Sequence, residues 1–524
     1  MRKSLLTATL ALATSATAWA GGFLTNTNQS AAFLRNPARD GYIAIDGCYA
    51  NPAGVGFLSQ GWHFAFDVQS AYQTRTVETY FPYFKGGTVN GQPNGAGLYK
   101  KFEGKATAPV IPSFDLARVW DRWFATFHFG ITGGGGKCKF DSGLPSFESQ
   151  VAMVPNLINA IAPGAVTGYA FDTHMQGRQY YFGGQFGVGY KLLPNLSVSA
   201  GGRLVYADCN YYGYVRNISV QTADGRTIPA GQFFEAQKMP HFAALTADRD
   251  LNCDQTGWGF TPILGVDWNL GRLNLAAKYE FKTRLRLKNR SGVNTSGLDE
   301  YDDGKRIPAD IPAILTLGAK YDLRPDVRLS AGFHYYFDEQ ATQYKSREEY
   351  LDGGGWEVLA GAEWDVTRAL TLSAGWQTTS YGLGKNSRFI SDMSFVTNSN
   401  SVGLGARLQV SPKVAVNLAY FKTIYKHYER EMADYNDIRT TMTAMVTPLS
   451  QQLQAGAGQL QTIIQNPATP EADRIVAQQQ FAVVKGELEA IGKIAAGLGG
   501  MPTAGSDRFH RTNDVFGVGV EINF

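Results

Sequence analysis

The chain has 524 residues with 59 glycines, and it is 13% aromatic but only 18% charged. Its formal net charge of +3 gives no reason to expect nucleic acid as a partner. Many glycines and aromatic residues at moderate polarity are typical of a large β structure with tight turns.

The first 20 residues predict a secretory signal peptide. Two basic residues precede a short apolar run at 5–13, and Ala18-Trp19-Ala20 supplies the small residues of a cleavage site. The apolar run is too short to cross a bilayer core of ~30 Å. No later segment is a continuous apolar run of about 20 residues. The mature chain is therefore expected to be either a soluble secreted protein or a membrane-spanning β-barrel.

Apolar residues alternate with small or polar residues along much of the mature chain. In the last stretch, Phe516, Val518 and Val520 alternate with Gly517 and Gly519. In an outer-membrane barrel this alternation places apolar side chains against lipid and small or polar side chains towards a wet lumen. Because the second set is rich in glycine, the pattern favours a barrel over a soluble sandwich.

Short turns alternate with long polar loops between the predicted strands. The short turns are Trp120-Asp121-Arg122, Leu193-Pro194-Asn195, Asn269-Leu270-Gly271, Arg324-Pro325-Asp326, Val366-Thr367 and Ser411-Pro412-Lys413. With seven long loops they predict an all-β fold, a 14-stranded antiparallel transmembrane β-barrel with both termini on the periplasmic side. The second strand, near 110–120, has no clean alternation, so its faces are left unassigned.

An irregular segment rich in Gly, Pro and Asn precedes the first strand. Its Asn51-Pro52-Ala53-Gly54 motif resembles the hatch motif of the FadL family of outer-membrane transporters for long-chain fatty acids and other hydrophobic compounds. The stretch 110–132 resembles the second and third strands of that family. The tripeptide itself is a weak signal, because it recurs at Asn36-Pro37-Ala38 and at Asn466-Pro467-Ala468.

The resemblance implies a hatch at residues 21–60 that plugs the lumen of a barrel at 61–524. A barrel of this size is wider than its own side chains can fill, so without a plug it would leak. A periplasmic tail outside the barrel is the alternative for this segment. The family also implies passive uptake of a hydrophobic ligand, with lateral exit through a kink in the third strand and with no cofactor or metal.

The third strand contains the predicted lateral opening, formed by His128, Gly130 and Gly133. Glycine within a strand marks a bulge or bend. Alternatively, the glycines at 133–136 simply lead into a loop. Phe23 resembles the family position whose side chain reaches the ligand.

A ladder of basic residues lies in the seventh strand, at Lys278, Lys282, Arg284, Arg286 and Lys288. The alternation points all five side chains into the lumen. We expect Lys278, Lys282 and Arg284 to hold a ligand carboxylate by charge-assisted hydrogen bonds. Salt bridges to acids of the lumen are the alternative.

Four cysteines fit an oxidising compartment. Cys209 and Cys253 are expected at nearly the same height on neighbouring strands, which predicts a disulfide between them, although four cysteines allow three pairings. Apolar residues at helical spacing predict an extracellular helical insertion at about 429–506.

Three other functions compete with transport of hydrophobic compounds. A general diffusion porin would lack the plug, and a surface adhesin would use the loop at 428–508. An enzyme is disfavoured, because the seven histidines are scattered and neither a Gly-x-Ser-x-Gly motif nor helical metal-ligand spacing is present. The expected partners are a hydrophobic ligand and outer-membrane lipid, with the protein as a monomer.

Overall fold

The computed structural model describes residues 25–524, which form a closed barrel of 14 antiparallel strands, as predicted. The predicted signal peptide and Phe23 lie outside the described residues. In chain order the strands are β1 Gly61–Tyr80, β2 Lys100–Val119, β3 Trp123–Phe140, β4 Val166–Leu193, β5 Leu196–Thr222, β6 Arg249–Leu270, β7 Leu273–Glu280 continued by Arg286–Asn294, β8 Arg306–Pro308 continued by Ile314–Arg324, β9 Val327–Tyr336, β10 Trp356–Asp365, β11 Leu370–Ser380, β12 Ser399–Ser411, β13 Val414–Tyr425 continued by Tyr428–Met432, and β14 Gly505–Asn523. Pairing of β1 with β14 closes the wall.

All six predicted short turns join consecutive strands at one end of the barrel, called here the turn end. The opposite end, the loop end, carries most of the helices. The helices are α1 Ala31–Arg35, which precedes the barrel, and then α2 Pro145–Val151, α3 Val154–Ile161, α4 Ala230–Ala236, α5 Pro240–Leu245, α6 Ile438–Gln465 and α7 Glu471–Gly500. Three short strands, Gly87–Val89, Gln92–Pro93 and Thr227–Pro229, extend the sheet within the loops. None of the helices within residues 25–524 is long and apolar enough to cross a membrane.

Large apolar side chains cover the outside of the barrel wall. Exposed examples on different strands are Phe66, Phe129, Phe186, Phe260, Leu317, Leu404, Phe516 and Val518. On β14, Phe516 and Val518 are each about half exposed, whereas a Cβ at Gly517 between them would lie 2.4 Å from the Leu34 side chain inside the barrel. An apolar surface of this extent is typical of a barrel wall in contact with lipid.

A bulge explains why β2 lacks clean alternation. The register with β1 shifts between Ala108 and Ile111, so that Pro109 and Val110 together lie opposite one residue of β1. One extra residue exchanges the two faces of a strand. Even-numbered residues before the bulge and odd-numbered residues after it are accordingly buried.

The segment 25–60, called here the hatch, folds inside the barrel and is mostly buried. Its helix α1 packs Phe33 and Leu34 against β13 and β14, while Ile45 and Val55 pack against β1 to β3. Apolar packing therefore holds the hatch against two neighbouring parts of the wall, which meet where β14 pairs with β1.

Glycines of the wall allow the hatch backbone to approach closely. A Cβ at Gly318 would lie 2.3 Å from the carbonyl carbon of Asp40, and one at Gly403 would lie 2.3 Å from the carbonyl oxygen of Leu34. No side chain fits at such distances. The small residues of the alternating pattern therefore make room for the hatch.

The helical hairpin of α6 and α7 lies within the predicted insertion. Asp434 accepts hydrogen bonds from the first N–H groups of α6, which satisfies the start of that helix. Near the barrel the hairpin packs into the large apolar cluster of the loop end, and α7 contacts α3 there. At the tip, Ile463, Ile475 and Val476 are exposed.

Candidate functional site

Three arginines converge on one buried carboxylate at the turn end. Arg35 and Arg39 of the hatch contact Glu363 Oε1, and Arg328 of β9 lies 3.2 Å from Glu363 Oε2. Arg39 also forms a bidentate pair with Asp46 at 2.7 and 2.9 Å. Only 5% of the Glu363 side chain is exposed. This ion network fixes the hatch to β9 and β10.

The predicted hatch motif forms a second anchor, on β5 and β6. Asn51 Nδ2 donates to Asp267, and Asn51 Oδ1 accepts the N–H of Gly54 at 3.2 Å. The Ala53 carbonyl accepts from Ser197 Oγ. Pro52, which has no N–H to satisfy, completes the turn. The Asn therefore closes the turn with its oxygen and binds the wall with its nitrogen.

In the two other Asn-Pro-Ala copies the Asn side chain also closes a turn, but it binds the N–H two residues on instead of three. Asn36 Oδ1 accepts the N–H of Ala38 at 3.2 Å, and Asn466 Oδ1 accepts the N–H of Ala468 at 3.0 Å. Asn36 Nδ2 also donates to Ser330 of β9. The copy at 36 thus anchors the hatch, and the copy at 466 begins the connection between α6 and α7.

The barrel wall is unpaired between β2 and β3 over one stretch. Ala106 pairs with Cys138, and Phe114 pairs with Phe129. Within the described chain, no β-ladder pairing joins 107–113 of β2 to 130–137 of β3. We call this stretch the wall gap. Pro109 and Pro112 lie in it and cannot donate a ladder hydrogen bond, which explains part of the interruption.

The first described residues of the hatch span the wall gap from inside. Thr25 bridges Gly133 in antiparallel fashion. Hydrogen bonds to β3 run from Asn26 N to Thr132 O (2.9 Å), from Asn26 Nδ2 to Ile131 O (3.2 Å) and from Gln29 Nε2 to Ile131 O (3.0 Å). On the β2 side, Ser113 Oγ donates to the Gln29 carbonyl. Hydrogen bonds therefore connect the hatch to both strands that border the gap.

All three residues of the predicted opening lie beside this contact. His128 is fully buried, with Nδ1 2.9 Å from Asp115 and Nε2 3.3 Å from Gln29. A Cβ at Gly130 would lie 2.4 Å from Gln29 Oε1, and Gly133 pairs with the hatch. The glycines at 133–136 belong to β3, where they cause register shifts against β4, so they do not lead into a loop.

The prediction that the basic side chains of β7 point into the lumen is wrong for the residues after Lys282. The strand is interrupted between Glu280 and Arg286, and the face that points inward changes there. Arg284, Arg286 and Lys288 are consequently exposed on the outer face. Leu285 and Leu287 are buried instead, in the apolar cluster of the loop end.

The two remaining basic residues already have protein partners. Lys278 is buried, and its Nζ lies 2.8 Å from Glu280 and 2.9 Å from the Tyr49 carbonyl. Lys282 Nζ donates to the Gln340 carbonyl at 2.9 Å and lies 3.8 Å from Asp310. Salt bridges to lumen acids, the alternative reading, describe both side chains better than ligand contacts do.

Arg75 of β1 is a buried cation that the strand pattern did not single out. It is 1% exposed, its Nε and Nη1 have no hydrogen-bond partner among residues 25–524, and no carboxylate there lies within 4 Å of it. It pairs across the ladder with Arg511, another buried arginine. Arg75 also lines a small cavity with Phe140, Met175 and Met393. Cys138, at the edge of the wall gap, lines the same cavity.

The predicted disulfide between Cys209 and Cys253 is wrong. Both thiols are free and buried. Cys209 faces Gln255, whereas Cys253 faces Tyr211, so the two cysteines are offset by two residues in the ladder. Diagonal neighbours have Cα atoms roughly 7–8 Å apart, beyond the usual span of a disulfide.

A cleft of about 600 Å³ opens at the loop end, with a lining of mixed charge that includes Glu300, Arg347 and Arg388. Burial raises the pKa of Glu300 to about 7, although Arg347 opposes this shift. Its Oε1 has no hydrogen-bond partner within the described chain. The charged lining makes this cleft unsuited to an apolar ligand.

Replacing Glu300 by Gln is expected to stabilise the protein at pH 8 but not at pH 5. A carboxyl whose folded-state pKa lies above its unfolded value contributes stability below the unfolded value and loses it as the pH rises through about 7. We expect a gain of about 1–3 kcal/mol at pH 8. Thermal unfolding at both pH values measures it, with exposed Glu349→Gln as control. Equal effects at both pH values would contradict the assignment.

No protein-family model and no curated protein sequence matches the chain. Among solved structures, it is similar to a FadL homologue of Pseudomonas aeruginosa, with 14% identity, coverage of 97% of this chain and 100% of that one, and a TM-score of 0.57. The TodX deltaS2S3 mutant monoaromatic hydrocarbon channel matches with 14% identity, 94% and 99% coverage and a TM-score of 0.53. The P. putida toluene transporter TodX matches with 14% identity, 92% and 95% coverage and a TM-score of 0.50. The barrel fold that the resemblance to the FadL family implies is thereby confirmed: the chain has the fold of these barrels.

Proposed function

We propose that the protein is an outer-membrane transporter that takes up long-chain fatty acids or other hydrophobic small molecules by passive diffusion, without acting as an enzyme. The turn end faces the periplasm, as short turns do in bacterial barrels. The ligand leaves sideways through the wall gap into the membrane when the hatch residues that span the gap move. Support comes from the fold shared with a toluene transporter and a FadL homologue.

The contact between hatch and wall gap carries this proposal. Backbone groups of β3 that lack a β2 partner are bound instead by Asn26 and Gln29. Displacing these two residues would leave an opening towards the lipid beside the cavity lined by Arg75. No strand pairing of the wall would have to break, because β2 and β3 are already unpaired there. Moving alkyl chain from water towards lipid is favourable by ~0.8 kcal/mol per methylene, so no energy source is required.

The head group of a fatty acid would be recognised by Arg75. Its unpartnered Nε and Nη1 are the kind of donors that a carboxylate binds strongly. The same cavity has apolar walls at Phe140 and Met393, and methionine adapts to varied shapes. Arg75 therefore replaces Lys278, Lys282 and Arg284 as the proposed carboxylate site.

A reversible crosslink of the hatch to β3 tests the proposal. Thr25→Cys and Gly133→Cys, in a background without the native cysteines, are expected to form a disulfide at the bridge that these residues make. Under oxidising conditions oleate uptake by cells should fall to the level of cells that lack the protein, and a reductant should restore it.

The control crosslink is Ala331→Cys with Ala360→Cys, which pair directly on an intact part of the wall. It should leave uptake unchanged. Unimpaired uptake with the hatch crosslink fully formed would refute exit through the gap. A steady current through the unmodified protein in planar bilayers would instead favour a general diffusion porin.

A further inference from the structure

Four cations lie together on the outer face of the barrel near the loop end. They are Arg284, Lys288 and Arg290 of β7 and Arg306 of β8, all exposed, and we call them the outer basic patch. The three cations of β7 face outward because the interruption in that strand reverses its two faces.

The outer basic patch has no neutralising partner within the described part of the chain. No carboxylate there lies within 4 Å of any of the four cations, whereas neighbouring Arg286 pairs with Asp310 at 2.7 Å. Lys288 and Arg306 are direct partners in the ladder, an arrangement in which like charges repel. An anion between them would remove that repulsion.

The height of the patch on the wall indicates where such an anion would come from. Lys288 pairs with Thr256 and Arg290 with Asp254, so both lie just beyond the exposed apolar residues Trp258 and Phe260 of β6. Asp254 accepts a hydrogen bond from Asn210 and does not pair with Arg290. The patch thus begins where the lipid-facing surface ends, at the level of lipid head groups.

We infer that the outer basic patch binds phosphate groups of lipid head groups in the outer leaflet of the membrane. Phosphate offers several acceptor oxygens and a negative charge, which match an arginine fork and a lysine ammonium side by side. The inference rests on the outer-membrane location proposed above. It does not depend on which ligand is transported.

Binding of lipid A with two phosphates to the detergent-solubilised full protein tests the inference. Native mass spectrometry or a fluorescence titration should detect binding, and the same lipid without phosphates should bind much less. Lys288→Gln with Arg306→Gln should weaken binding about 25-fold, from about fivefold for each cation near a charged lipid surface.

A control pair on β2, Lys101→Gln with Lys105→Gln, removes two exposed cations that already have Glu103 nearby. Equal weakening by both pairs would mean nonspecific charge attraction and would overturn the inference, as would equal affinity for lipid without phosphates. Oleate uptake should persist in both variants, so failure of this inference is distinguishable from failure of the transport proposal.

Discussion

Replacing Glu363 by Gln is expected to loosen the hatch, so that ions pass through a barrel that the hatch otherwise plugs. The substitution leaves Arg35, Arg39 and Arg328 close together without the carboxylate that all three contact. Arg39 keeps its pair with Asp46 and Arg328 keeps Asp365, so the charge left without a carboxylate is that of Arg35. Removing one partner from a buried ion pair costs about 3–5 kcal/mol, because uncompensated charge remains in a dry environment. That cost falls on the hatch, whose other contacts with this part of the wall are a buried contact of Asp40 with His334 at 3.0 Å, hydrogen bonds and apolar packing.

Planar-bilayer recordings measure this effect, and hydrogen exchange of the hatch amides reports its local opening. The matched control is Asp326→Asn at the same end, because Asp326 forms an exposed pair with Arg324 that contributes little. A Glu363→Gln protein that stays closed, with unchanged protection of the hatch, would show that the ion network does not hold it.

Replacing Arg75 by Met is expected to weaken oleate binding about 100-fold while it stabilises the protein. Loss of charge-assisted hydrogen bonds to a carboxylate accounts for the first effect, at about 3 kcal/mol. The second follows because a buried cation without a carboxylate partner is removed, and its repulsion from Arg511 with it.

Oleate titration and thermal unfolding of the same samples measure both effects. A neutral ligand such as toluene should bind equally to both proteins, since it makes no use of the guanidinium. Arg75→Lys keeps the charge and should retain part of the oleate affinity. A purely structural arginine would instead lose stability on replacement by Met, with equal losses for oleate and toluene.

The strand count was predictable because each strand has its own alternation of apolar with small or polar residues, which can be recognised locally in the sequence. Turns such as Leu193-Pro194-Asn195 interrupt the alternation visibly, and each of the six joins two strands. Breaks within strands were harder to predict, because their clearest signals lie on the neighbouring strand. Pro109 and Pro112 of β2 mark the gap opposite β3.

The same physical reason accounts for the error in β7. Its interrupted stretch, 281–285, contains neither Gly nor Pro, but β8 opposite it is interrupted around Pro312. Alternation extrapolated across such a break assigns every later side chain to the wrong face. Likewise, alternation places Arg75 inside but does not reveal whether an acid from a distant strand faces it.

The hatch is synthesised before every strand that encloses it. Arg35 donates to Asn417, a residue 382 positions later, and Gly517 and Gly519 leave the space that Ala31 and Leu34 fill. The seam between β1 and β14 can close only after the last of the 14 strands has been made. A nascent chain that lacked its last 20 residues could not close the barrel, and it would lack part of the wall against which α1 packs.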